Sequence, residues 1–216
     1  MRFFILFISL FSSIFYSNAQ VVLKSFWQLS CPEKYWVVTH PFVAHKVLAL
    51  TKEAIIAGHE MKQDTLFDGD ESGGQVDAFR HSYWMALLSQ KISQKKAGSL
   101  GKAHEKGNYR KYKKGKTEEK LIIPDSISGV MDLFNNNIGI MIGLQNQKLS
   151  CDSLKTVIKT AILEGKMKII SKNFKGFFLD CNGNVIEQKS LLNSWNNPKC
   201  LIPSNIIRSK NIYSRN

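Results

Sequence analysis

QVDAFRHSYWMALLSQKI, residues 75–92, carries two helical patterns at once. Phe79, Tyr83, Ala86, Leu87 and Leu88 make one broad apolar stripe, whereas Asp77, Arg80, His81 and Trp84 stand at i, i+3, i+4 and i+7 and share a second face. A helix with an acid, a cation, an imidazole and an indole on one side and hydrocarbon on the other belongs inside a bundle. Its polar side must then meet hydrogen-bond partners, a metal or a substrate, because an unpaired polar group in a low-dielectric interior costs roughly several kcal/mol.

The flanking stretches are also helical. Upstream, His40-Pro41 marks a turn after a short extended lead from Val21 to Thr39, and Val43, Val47, Leu48, Leu50, Ala54, Ile55 and Ala57 predict a helix from about Phe42 to Met61. His45 and His59 on it read as surface residues. The acidic, glycine-rich segment Asp64 to Gly74 reads as a loop. Downstream, a short helix is expected from Gln94 to Glu105, followed by KGNYRKYKKGKTEEK, residues 106–120, which reads as a mobile basic loop with Tyr109 and Tyr112 as candidate stacking groups.

Pro124, Asp125 and Ser126 supply a stop and an N-cap, and Ile127, Val130, Met131, Phe134, Ile138 and Ile142 predict a helix to about Gln145. Gly129, Gly139 and Gly143 in that helix predict the close approach of another backbone. A helix from Ser153 to Leu163 ends at Gly165. Beyond it KMKIISKN, GFFLD and NVIEQ, around the turn Asn182-Gly183-Asn184, predict a small strand pair. The fold class is therefore mainly α, a helical bundle with a small C-terminal β-hairpin.

Of 216 residues 44% are hydrophobic and 22% charged, which excludes a collagen-like, low-complexity or wholly disordered chain. Arg2, the apolar run Phe3 to Phe15 and Ser17-Asn18-Ala19 predict a secretory signal peptide over 1–19, too short in its apolar part for a roughly 20-residue membrane span. One mainly helical domain over 20–200, with its motif core at 74–143, and a loose basic tail over 201–216 complete the expected organisation. A net charge of +13 favours an anionic ligand or surface, with nucleic acid as a secondary partner. Export makes Cys31, Cys151, Cys181 and Cys200 candidates for two disulfides, with three pairings open; one joining Cys31 to Cys200 would tie the ends of the domain together.

Several residues are candidates for chemistry. Asp132, Asn135 and Asn136 repeat the i, i+3, i+4 arrangement, and His104-Glu105 lies between the two helices that carry these faces. Turned inward, the faces support metal-assisted or general acid–base hydrolysis: His81, His104 and Asp132 holding a divalent metal, Glu105 activating water and Arg80 neutralising an anionic intermediate, so that His81, Glu105 and Arg80 are the catalytic candidates. Asp77, Asn135, Asn136, Lys111 and Lys113 are candidate substrate contacts. Asp68, Asp70 and Ser72, in Asp68-Gly69-Asp70-Glu71-Ser72-Gly73, have the spacing of the start of a calcium loop, although Phe79 stands where a closing Glu is expected; an acidic turn capping the next helix is the alternative.

The blocks Asp77-Ala78-Phe79-Arg80-His81-Ser82-Tyr83-Trp84, Ala103-His104-Glu105 and Met131-Asp132-Leu133-Phe134-Asn135-Asn136 with Gly139 resemble an uncharacterised bacterial domain family with the motifs DAxRHxxW, HE and MDxxNNxxG. That resemblance implies site positions but no reaction, and the company of exported, in part toxin-like, bacterial proteins. The order His, His-acid, Asp is also similar to the His-Asp phosphohydrolase superfamily, but Glu105 stands in place of its Asp and Lys106-Gly107 follows. An HExxH zinc motif is absent, since Asn108 occupies the place of the second His. A hydrolase acting on an anionic or phosphate-bearing substrate is the leading expectation. The alternative is a non-catalytic binding or interaction module whose polar core is structural and whose basic segment grips an anionic surface.

Overall fold

The computed structural model describes residues 26–115 and 124–206. The expected signal peptide, the end of the basic segment at 116–120 and the last residues of the tail, 207–216, lie outside them. The element order is α1 (Cys31–Thr39), α2 (Pro41–Gln63), α3 (Gln75–Lys91), α4 (Gln94–Gly115), α5 (Ser126–Gln145), α6 (Cys151–Leu163), β1 (Lys168–Ile170), α7 (Gln188–Leu191) and β2 (Leu201–Pro203). No helix among the described residues is long and apolar enough to cross a membrane.

Helix α3 is the axis of the bundle. Every residue from Gln75 to Ser89 is buried except Arg80, and α3 packs on α2, α4, α5 and α6. Its neighbour α5 approaches closely, as its glycines predict. A Cβ on Gly139 would stand 2.1 Å from the Ser82 carbonyl oxygen, and one on Gly143 2.3 Å from that of Ala86. The missing side chains thus let two backbones touch, a return that offsets the roughly 1 kcal/mol a helical glycine costs relative to alanine. Asp125 caps α5 by accepting a hydrogen bond from the Ser128 N–H at 2.8 Å.

Two segments depart from the expected reading. The lead before His40 is not extended, because Ser30 and Glu33 form a reciprocal capping box with Pro32 in the first turn, and Cys31–Thr39 is helix α1. Residues 106–115 are not a mobile loop but the second half of α4. The lysines and arginine there are good helix formers, the Tyr112 ring is buried against Trp195 at 5.0 Å between centroids, and its hydroxyl donates to the Asn193 carbonyl at 2.8 Å. Tyr109 also packs on Trp195, at 4.7 Å, so both tyrosines serve the fold.

The C-terminal strand pair is antiparallel, with Ile169 opposite Ile202. Its second strand is Leu201–Pro203, so the folded unit runs past 200; GFFLD and NVIEQ are joined by the single bridge Leu179↔Val185 and by hydrogen bonds from Asn184 to the Asp180 carboxylate. The disulfide is Cys181–Cys200, which ties β2 to the turn region. It excludes the Cys31–Cys200 pairing, and Cys31 and Cys151 are free thiols.

Candidate functional site

The expected polar cluster forms on the inner face of α3. Asp77 is held from two sides: its Oδ2 accepts a hydrogen bond from the Gly73 N–H at 2.7 Å, and its Oδ1 accepts one from Arg80 Nη2. One turn on, His81 Nε2 lies 3.6 Å from Asp77 Oδ1 and 3.6 Å from Oδ2 of Asp132 on α5. Ligand atoms of Asp77, His81 and Asp132 all lie within 4.8 Å of one another, and all three residues are buried. Two helices therefore deliver one nitrogen and two oxygen donors to a single point, a donor set that suits a divalent first-row metal.

His104 and Glu105 arrive from α4. The His104 ring sits 5.9 Å from that of His81, centroid to centroid, but its Nδ1 pairs with Glu33 Oε1 of α1 at 2.8 Å. The geometry thus groups Asp77, rather than His104, with His81 and Asp132. Glu33 belongs to the site and was not foreseen. Its one sequence signal is the Ser30-Cys31-Pro32-Glu33 capping pattern, where Oε2 holds the Ser30 N–H at 2.8 Å and leaves Oε1 to the imidazole.

Burial and mutual repulsion set the protonation states. Burial drives the His81 imidazole down to about 4, with Asp77 opposing, so it is neutral at pH 7 and can act as a ligand or base. Burial, reinforced by Asp77, pushes the Asp132 carboxyl well above the ordinary range. Burial and the nearby Asp132 also raise Glu105. For His104 burial acts downward, but the hydrogen bond to Glu33 and the charges of Glu105, Glu33 and Asp132 outweigh it and raise the imidazole. Glu33 is lowered: its hydrogen bonds from His104 and Ser30 overcome its burial.

The cluster is not self-sufficient. His81 Nδ1, Asp132 Oδ1, Glu105 Oε1 and both amide atoms of Asn136 are buried without a hydrogen-bond partner among the described residues. Buried polar groups are paired in the great majority of cases, so these atoms carry hydrogen-bonding capacity that the described residues leave unmet. Asn135, by contrast, serves the fold. Its amide donates to the Lys168 carbonyl and accepts from the Lys168 N–H, both at 2.9 Å, so it clasps β1 to α5 and is wholly buried there.

The remaining candidates lie elsewhere. Lys111 and Lys113 are exposed on the second half of α4, with Lys113 Nζ 4.9 Å from the centre of the Tyr109 ring. In the acidic loop, Asp68 Oδ2 caps α3 through the Gln75 N–H at 2.9 Å and its Oδ1 accepts from the Asp70 N–H at 2.8 Å. Asp70 accepts from the Ser72 N–H at 3.0 Å and from the Lys172 ammonium. Backbone donors and a lysine thus take up Asp68 and Asp70, and Ser72 is exposed, the arrangement of the capping turn.

Above the cluster, between α1, α2 and α3, opens a cavity of about 580 Å³. Arg80, His81, His104 and Glu33 line its polar end, and Val37, Leu48, Ala54, Trp84 and Leu100 are among its apolar walls. Trp84 is both wall and core: its Nε1 donates to Thr51 Oγ1 at 2.9 Å, and its ring meets His104 edge-on at 5.7 Å.

No curated protein and no solved structure matches the chain. A family model described as Domain of unknown function (DUF6973) matches residues 34–166, a span that runs from α1 to the end of α6 and holds Asp77, His81, His104, Glu105 and Asp132. By this match over more than half its length, the chain belongs to that family.

Proposed function

We propose that the protein is an exported hydrolase acting on an anionic, phosphate-bearing substrate, with a divalent cation held by Asp77, His81 and Asp132. The observation that carries this reading is the convergence of those three buried groups, with Asp132 Oδ1 and His81 Nδ1 lacking partners. Such a cation, when bound, supplies Lewis acidity and makes water acidic near neutral pH. Arg80, anchored by Asp77 and lining the cavity, binds the substrate anion. Glu105, its carboxyl raised by burial and by Asp132 and one oxygen unpartnered among the described residues, takes the proton from the attacking water. The Cys181–Cys200 disulfide supports export, since such bonds persist in oxidising compartments.

Elemental analysis of the purified protein and calorimetric titration with zinc or manganese test the reading. We expect one equivalent of cation, its affinity reduced roughly 100-fold or more in Asp132→Asn and His81→Ala, with Glu105→Gln retaining the cation but losing turnover of phosphomonoesters and phosphodiesters. Absence of cation binding together with folded, unaltered variants would overturn it.

A non-catalytic anion-binding module is the second reading, favoured by the exposed Lys106, Arg110, Lys111, Lys113 and Lys114 along α4. It predicts binding to polyanions, nucleic acid included, that falls steeply with salt and ignores chelator.

A further inference from the structure

We infer that the cavity over the site receives the hydrocarbon chain of an anionic single-chain lipid whose headgroup rests at Arg80 and His104. The headgroup half of this assignment rests on the hydrolase reading above; the chain half rests on the cavity itself. At about 580 Å³ the space lies within the roughly 300–1,000 Å³ of small-ligand sites, and apart from Arg80, His81, His104 and Glu33 its lining is apolar but for His45 and for Thr51, whose hydroxyl accepts from Trp84 Nε1. Val37, Leu48, Ala54, Trp84 and Leu100 offer no charge to a ligand, so a molecule made wholly of polar groups would lose hydration along most of its length without return. A hydrocarbon chain suits those walls.

The polar end fits an anion. Of the five N–H donors of a guanidinium, Arg80 gives one to Asp77, and it has no other partner among the described residues. His104 lines the same end, its ring held in place by the 2.8 Å contact of Nδ1 with Glu33 Oε1. Both are presented to the cavity, so an anionic head and an apolar tail have their counterparts in the right order along one opening.

The surround points the same way. Trp27, Val38, Phe42 and Ile56 directly follow the lining residues Phe26, Val37, Pro41 and Ile55 in the chain, and all four are exposed, Phe42 completely so. Lys34 lies beside the first of them, its Nζ 5.2 Å from the Trp27 ring centre. Exposed aromatic and aliphatic side chains with lysines among them are what a protein places against a lipid headgroup layer, where apolar rings enter the acyl boundary and cations meet anionic lipid.

Calorimetry on the purified protein tests the inference, with oleoyl lysophosphatidate and oleate, both below their aggregation concentrations, as anionic single-chain probes. Glycerophosphate is the head without the chain, and mono-oleoylglycerol the chain without the charge. Saturable binding of one lysophosphatidate per protein is expected, with glycerophosphate at least roughly 100-fold weaker and mono-oleoylglycerol roughly tenfold weaker. Ala44→Phe and Leu48→Trp, at half-buried positions of the wall, should each weaken both anionic probes tenfold or more while circular dichroism stays native. Arg80→Gln should abolish the preference for lysophosphatidate over mono-oleoylglycerol.

No saturable binding of either anionic probe overturns the inference, as does binding undiminished in both wall variants. Self-association that the wall variants abolish, without lipid binding, assigns the cavity to a second copy of the chain and also overturns it. Turnover of small phosphoesters without lipid binding removes this inference alone. Lipid binding without turnover or cation removes the hydrolase reading and leaves the chain-binding cavity standing.

Discussion

The two sides of α3 are buried by opposite means. Against α5 the contact is closed: Gly139 and Gly143 bring backbone to backbone, with Ser82 and Ala86 opposite and no room for a methyl group. Toward α1 and α2 the contact is open, and Trp84 stands against a cavity of about 580 Å³ rather than against a filled core. One helix thus has a seam that sets its position and a face that leaves space, and the cluster of Asp77, His81 and Asp132 lies where the seam meets the opening. A close-packed seam holds the cluster in place while the open face leaves space beside it, the division of labour the proposed site requires.

The largest expected effect comes from closing the seam's tolerance. Gly139→Ala puts a Cβ 2.1 Å from the Ser82 carbonyl oxygen, on backbone that cannot move aside without shifting a helix, and should destabilise the protein by about 3 kcal/mol or prevent its folding. Ala44→Leu adds more bulk on the open side and should change stability by no more than about 1 kcal/mol, in the stabilising direction if it fills space. Urea denaturation of both variants measures the contrast, and equal losses would show that the open face is packed as tightly as the seam.

Much of this contrast is legible in the chain. Gly139 and Gly143 among apolar residues in 126–145 announce close approach, whereas a Cβ on Gly129 would meet only the Glu105 side chain, at 3.6 Å, and the two-faced pattern of 75–92 announces a buried helix with a polar cluster. What escapes has a common cause. Glu33 joins the site through a contact 71 residues away, and no local pattern marks the meeting; the capping box only reveals that a helix begins there. The helical course of 106–115 is hidden because its lysines leave no apolar stripe, and it is held by Tyr109 and Tyr112 packing on Trp195 and by Tyr112 reaching Asn193, all far along the chain. The cavity is invisible for the same reason: a space between helices is a property of their arrangement, which side-chain periodicity does not encode.

A second effect separates a working site from a structural one within the seam. Asp132 is a buried carboxylate with Oδ1 unpartnered and Asp77 close by, so its charge opposes folding. Asp132→Asn removes that charge at nearly constant shape and should raise stability at pH 7 by about 1–3 kcal/mol while it weakens the proposed cation binding. Because the folded carboxyl titrates above its unfolded value, the gain should be present at pH 7 and vanish as the pH falls below the ordinary aspartate range, where both states are protonated. Thermal unfolding of both proteins at pH 7 and pH 3 checks this, and a variant less stable than the parent at pH 7 would mean that Asp132 is a scaffold residue.

The smallest effect belongs to the open side, where Glu33 and His104 pair across the cavity's polar end. Glu33→Gln keeps the capping box, since glutamine also reaches the Ser30 N–H, and deletes only the charge opposite the imidazole. The lowered Glu33 adds stability above its ordinary value of 4.5, lost as the pH falls through its folded value. The raised His104 adds stability below 6.5, lost as the pH rises through its own. The pair therefore contributes fully between those values, and its partial exposure holds the contribution to about 1 kcal/mol. Urea midpoints should show that loss for the variant at pH 5.5 and a smaller one at pH 9, since the charge opposite Glu33 is lost as the pH rises. Equal losses at the two pH values would show that Glu33 acts through the helix cap or through packing, and the charge balance at the mouth of the site would then have to be assigned to Arg80 and Asp77 alone.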